Sequence, residues 1–228
     1  MQQRFDFASA DLERWRTALA PLLVRVELPP ARSPIGALVK SLISSRTLDA
    51  VSLAAYHRLC RIYPSPARLA RATPAAIQRA IAEVAYADSK AAHLTETMAL
   101  IQREHPAFDL EFLGEIPLRD ALAWLERLPG VARKVAAATL NGSRLRRPVF
   151  IVDTHVQRVM QRLEFVGAHA DMQLISEQVT AGAPHWSGAD FLRFHVATKR
   201  LGQTLCRPET PDCVHCPLAF DCPSAGRV

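Results

Sequence analysis

The sequence predicts an all-α fold, and three observations carry that expectation. Apolar residues recur at three- and four-residue spacing along most of the chain. Proline, threonine and aspartate stand where helices should begin. Only one stretch, residues 149–152, reads as β-like, and it is too short to build a sheet.

In order, Leu12, Trp15, Leu19, Leu22 and Leu23 form the stripe of a first helix. Prolines between 29 and 34 interrupt, and residues 35–59 read as two helices broken near 47–49. Thr73-Pro74 is a cap followed by proline at the first helical position, opening a helix over 75–84. Asp88 is the expected cap of a helix running to about Glu104. Pro117 opens another, with Leu118, Leu122, Leu125 and Leu128 inward, and Pro129-Gly130 stops it. A helix over about 132–140 follows, then a basic loop at 142–148. Asp153 precedes a helix over 154–163, and two more cover about 171–180 and 190–201. After Cys206 the chain is proline-rich and irregular, so something other than a core must order it.

A formal net charge of +6 favours a polyanionic partner such as nucleic acid, although solubility alone would explain it equally well. Lysine is scarce: Lys40, Lys90, Lys134 and Lys199 are the only ones, arginine supplying the other basic residues. Arginine stays protonated, so any amine nucleophile must be one of these four or the chain N-terminus. The amphipathic start carries acids and no apolar run reaches membrane-spanning length. A soluble, cytoplasmic protein with no membrane partner is expected. Structural disulfides are rare in that setting.

Cys206, Cys213, Cys216 and Cys222 are spaced C-x6-C-x2-C-x5-C. Thiolates so close in sequence can converge on one metal centre and fold the loose tail around it. Zinc and iron–sulfur clusters both accept four cysteines, and spacing does not choose between them. Cys60, on an apolar helix face, is expected to be a packed core thiol.

Residues 128–134, L-P-G-V-A-R-K, join two helices by a tight turn that leaves backbone N–H groups at the second helix start, where a phosphate can bind. Lys134 follows on the first turn, with Arg133 beside it and Arg144, Arg146 and Arg147 beyond. Neighbouring cations and desolvation favour a neutral amine that can attack a sugar carbon. Asp153 can cap its helix, accept a proton or stabilise a cationic sugar.

L-P-G-V-A-R-K at 128–134, V-D-T-H at 152–155 and the cysteine tail together resemble endonuclease III, of the helix–hairpin–helix DNA glycosylase superfamily. S-L-I-S-S at 41–45, S-K-A at 89–91 and G-E-I-P at 114–117 extend the likeness over about residues 35–222. The resemblance implies two helical lobes: a six-helix barrel over 27–146, with the hairpin motif at about 118–140, and a discontinuous lobe of 1–26 plus 147–228 carrying a [4Fe–4S] cluster on Cys206, Cys213, Cys216 and Cys222. It implies Lys134 as nucleophile, Asp153 as activating carboxylate, and Leu128, Gly130, Val131, Ala132 and Arg133 gripping the DNA backbone. Lys90 and His155 join that DNA interface, and Arg46, Val84 and Tyr86 are the candidate wedges. The implied activity is a bifunctional DNA glycosylase and AP lyase acting, as a monomer, on double-stranded DNA with oxidised pyrimidines or abasic sites.

The sequence departs from the family pattern at several points. Ala132 replaces the hairpin's second glycine, Arg46 stands where a gap-filling glutamine is usual, and residues 84–86 lack the customary glycine. These leave room for an enzyme acting mainly as an AP lyase, or for a DNA-binding homologue with weak glycosylase activity. The adenine-excising branch of the superfamily typically lacks the lysine and adds a C-terminal domain; Lys134 and an end soon after Cys222 set this chain apart from it.

Overall fold

The computed structural model describes residues 2–24, 28 and 30–227. Among them the regular structure is helical, and the one β-type pairing is an isolated parallel bridge between Arg32 and Ser143. The chain divides into two compact units, Ala31–Leu145 and the pair Met1–Pro30 with Arg146–Val228. The expected lobe boundary between 26 and 27 falls outside the described residues.

The continuous unit is built on α2 (Pro34–Ser44), whose Ile35, Leu38, Val39, Leu42 and Ile43 are all buried. A helix apolar on most sides must sit inside its unit, and α2 packs against α3 (Asp49–Ile62), α6 (Ala87–Glu104) and α8 (Arg133–Gly142). The break expected near 47–49 is there. Ser33, Ser65 and Thr73 cap α2, α4 (Pro66–Ala70) and α5 (Pro74–Ala80), accepting bonds from Gly36, Arg68 and Ala76 N–H, each with proline at the helix start. This is the donor satisfaction that such caps supply. The short α4 has no counterpart in the sequence reading. Asp88 is not a cap: Tyr86, in left-handed backbone at φ 57°, precedes α6, which places Asp88 inside its first turn. On α3, Ser52, Ala55 and Leu59 face inward, and Cys60, one residue past that stripe, is exposed instead of packed. Finally α7 (Leu118–Glu126) buries Leu122 and Leu125 and packs on α8, forming the predicted hairpin.

In the discontinuous unit, α1 (Gln2–Leu19) sets Leu12, Trp15 and Leu19 into a core shared with α9 (Thr154–Arg162), α10 (Met172–Gly182) and α11 (Gly188–Thr204). Phe165 meets Trp15 edge-on at 5.7 Å, and Trp186 lies against Phe191 and Phe194. Residues 149–152 are buried and belong to no strand. Side chains from the helices take their backbone groups: Phe150 N–H donates to Thr180 Oγ1 (3.0 Å), Ser176 Oγ donates to Phe150 O (2.7 Å), and His195 Nδ1 lies 2.8 Å from Ile151 O. A buried backbone satisfied this way needs no neighbouring strand. Past Cys206 the tail is tied to α1, where Trp15 Nε1 and Arg14 Nη2 both reach Asp221 Oδ2 at 2.7 Å.

Candidate active site and nucleic-acid interface

In the continuous unit the hairpin turn is seated on α6. Gly130 has φ 74°, and a Cβ there would lie 2.7 Å from His93 Nδ1, so both backbone and space call for glycine. Thr97 Oγ1 donates to Pro129 O (3.0 Å), and Val131 N–H closes the turn on Leu128 O (3.1 Å). Ala132, at φ −93° and ψ 174°, adopts extended backbone open to any residue, so the missing second glycine brings no strain. Leu128 and Val131 bury their side chains, which leaves backbone groups as what the turn can offer a ligand. Arg133 is paired with Glu126 across the turn.

The four lysines separate clearly. Lys40 Nζ donates to Ser44 Oγ (2.7 Å) and Ser52 Oγ (3.1 Å). Lys90 turns inward, donating to Ile43 O (3.0 Å), Ser45 O (2.6 Å) and Thr47 Oγ1 (3.1 Å). Burial, helped by the neighbouring charge of Lys134, pulls its pKa down to about 8. Lys134 stands half-buried on the first turn of α8, directly behind the hairpin. Lys199 belongs to the other unit.

Of the three candidate wedges, Val84 is 3% exposed and packed in the core, where its apolar side chain is best buried. Tyr86 is 59% exposed, and Arg46 is exposed too, its guanidinium 5.7 Å from the Tyr86 ring.

In the discontinuous unit Asp153 caps α9, its Oδ1 accepting from His155 and Val156 N–H at 3.0 Å each. Its Oδ2 is 3.9 Å from Lys199 Nζ. Burial works against the carboxylate, but His195, the Val156 N–H, Lys199 and His155 outweigh it and hold the group below its ordinary value. Sequence reading missed His195 and missed Lys199's place here. The available signal was their spacing of four on one helix, which puts both on one face. His155 itself is half-buried, close under Gly202 of α11.

The four tail cysteines line one cavity of about 30 Å³ with Arg162 and Leu205, and none of the chain's five cysteines is in a disulfide. Among the described residues no three His, Cys, Asp or Glu side chains converge closely enough to hold a single metal ion. Burial, with the neighbouring sulfurs adding to it, pushes the Cys216 and Cys222 thiols up. Arg162 Nη1 donates to Cys206 Sγ (3.3 Å).

Among the described residues no helix is long and apolar enough to cross a membrane. Residues 39–184 match the HhH-GPD superfamily base excision DNA repair protein family. Endonuclease III of Thermotoga maritima is 29% identical to this chain, covering 83% of it and 82% of the relative. Adenine DNA glycosylase of Mycobacterium tuberculosis is 32% identical; the match covers 83% of this chain and 59% of that protein. The solved structure of a trapped endonuclease III–DNA covalent intermediate superposes with a TM-score of 0.79 at 20% identity, covering 96% of this chain and 97% of the other. That likeness shows the fold alone. With the matched segment spanning both the hairpin and the Asp153 helix, the chain belongs to the HhH-GPD superfamily of base excision DNA repair proteins.

Proposed function

We propose that this protein is a bifunctional DNA glycosylase and AP lyase of the endonuclease III type, acting on oxidised pyrimidines and abasic sites in double-stranded DNA. The observation that supports it most is the place of Lys134 on the first turn of α8, immediately after a turn built to expose backbone N–H groups. A turn of that kind takes a phosphate, and in this reading the Lys134 amine attacks the sugar that the phosphate carries.

In this reading the damaged nucleotide leaves the stack. Lys134 Nζ attacks C1′ and the base departs with the bonding electrons. The carboxylate of Asp153 stabilises the developing positive charge on the sugar. The C1′–O4′ bond then opens, O4′ leaving with the bonding electrons and taking up a proton released from Nζ, and the resulting imine between C1′ and Nζ acidifies the C2′–H. Removal of that proton expels the 3′ phosphate, and water then frees Lys134. Cys206, Cys213, Cys216 and Cys222, which line one cavity, would hold a [4Fe–4S] cluster, and the cluster would serve there as a structural staple for the tail.

Borohydride trapping on abasic-site DNA tests the assignment, because reduction freezes the imine as a stable amine. The native protein should be trapped and Lys134→Gln should not. Trapping of both would move the nucleophile to another amine. Absence of trapping with intact DNA binding would remove the lyase activity.

A further inference from the structure

We propose that Lys199 is a positioning residue for the reaction: its ammonium faces Oδ2 of Asp153 and keeps that carboxylate charged and aimed while the other oxygen caps α9. The inference rests on the reading above, in which the Asp153 carboxylate meets the positive charge that develops on the sugar.

The two oxygens of Asp153 face different groups. Oδ1 accepts from His155 and Val156 N–H at 3.0 Å each, which fixes one end of the carboxylate on the helix start. Oδ2 has Lys199 Nζ at 3.9 Å. That separation is too long for a hydrogen bond, so charge alone joins the pair. The ammonium thus favours the ionised carboxylate without taking up a lone pair of the oxygen. The two side chains are 22% and 16% exposed, and a pair shielded to that degree is screened less than a surface pair.

Helix α11 delivers the lysine together with a second hold on the same segment. His195 and Lys199 are four residues apart and share one face of the helix. His195 Nδ1 lies 2.8 Å from Ile151 O, two residues before Asp153, while Lys199 reaches the carboxylate itself. One helix therefore positions both the backbone leading to Asp153 and the side chain that ends there.

The need for the lysine is electrostatic. Burial favours the neutral acid, and a neutral acid does not stabilise a cationic sugar. Against burial stand His195, the Val156 N–H, Lys199 and His155, and Arg158 of α9 also feels the charge of Asp153. Lys199 is the one among them that meets Oδ2 from α11 as an ammonium.

Two measurements on the full-length protein test this: titration of the Asp153 carboxyl carbon by NMR, and single-turnover base release from a duplex carrying one thymine glycol. Lys199→Met and Lys199→Gln should each move the Asp153 midpoint to higher pH, and Lys199→Arg, which keeps a charge, should hold it at the native position. At a pH between the native and Lys199→Met midpoints, Lys199→Met should release base several-fold more slowly than the native protein and Lys199→Arg should not. A lysine that only packs would leave the midpoint in place. An unchanged midpoint in Lys199→Met and Lys199→Gln, an equal shift in Lys199→Arg, or native-rate base release by Lys199→Met between the midpoints would each overturn the proposal while leaving the glycosylase reading standing. Absence of base release by the native protein would overturn both.

Discussion

Asp153 holds a helix and, in the proposed reaction, a cationic sugar, and the two roles can be separated. Its Oδ1 accepts two N–H bonds at 3.0 Å, and its Oδ2 faces Lys199 at 3.9 Å. Asparagine retains an oxygen for the cap and ranks with aspartate at this position. Asp153→Asn therefore loses only the charge at the helix end, about 0.3–1 kcal/mol, and some attraction to Lys199. Asp153→Ala also loses the cap, a further ~1 kcal/mol. Urea unfolding should thus rank native, Asn and Ala in that order, with the Asn variant close to native. Catalysis should not follow that ranking. Removing an electrostatic stabiliser of the transition state typically slows the step by about 10²–10³-fold, and both variants should show it in single-turnover base release. Base release at the native rate by Asp153→Asn would refute the reasoning, reducing the carboxylate to a cap.

The pH dependence has a definite sign. Because the folded-state pKa of Asp153 is depressed, its stabilisation is complete above the ordinary carboxylate value and is lost as pH falls through the lower folded value. The carboxylate's contribution to the stability gap between native and Asp153→Asn should disappear as pH falls through the carboxylate range, as read by urea unfolding across pH. Gly188→Ala would put a Cβ 1.8 Å from Arg146 O, where carbon and oxygen rest at roughly 3.3 Å. Overpacking of ~3 kcal/mol should lower the melting temperature by about 6–12 °C, whereas Gly142→Ala, with open space around its Cβ, should leave it unchanged or raised. Purified protein should carry about four irons per chain by elemental analysis, and Cys213→Ser should lose most of them; zinc in their place would overturn the cluster assignment.

Where a helix is announced by its own neighbours, the sequence read well. Thr73-Pro74 and Asp153 cap the helices they precede, since a cap bonds within three residues of itself. The hairpin was legible for the same reason. What failed depends on distant chain. Asp88 lost its cap role to a left-handed Tyr86 held by contacts from residues 43–47. Lys90, expected in the DNA interface, instead turns inward to carbonyls that arrive from 45 and 47 residues away. Residues 149–152 have strand composition, but side chains of α10 and α11 satisfy their backbone. His195 and Lys199 join Asp153 only through tertiary packing, which no local pattern encodes.

The bond from Trp15 to Asp221 has a consequence for how the protein is made. Its partners are 206 residues apart. On a ribosome adding roughly 5–20 residues per second, α1 emerges about 10–40 s before the residue that holds it. Through most of that interval Leu12, Trp15 and Leu19 lack α9 to α11, and through all of it they lack the end of the tail. The continuous unit can close first, and the newborn first helix must meanwhile be shielded by a chaperone or by transient contacts. Loading of the proposed cluster at the tail would then be one of the last events of biosynthesis, at the moment when the two ends of the polypeptide meet.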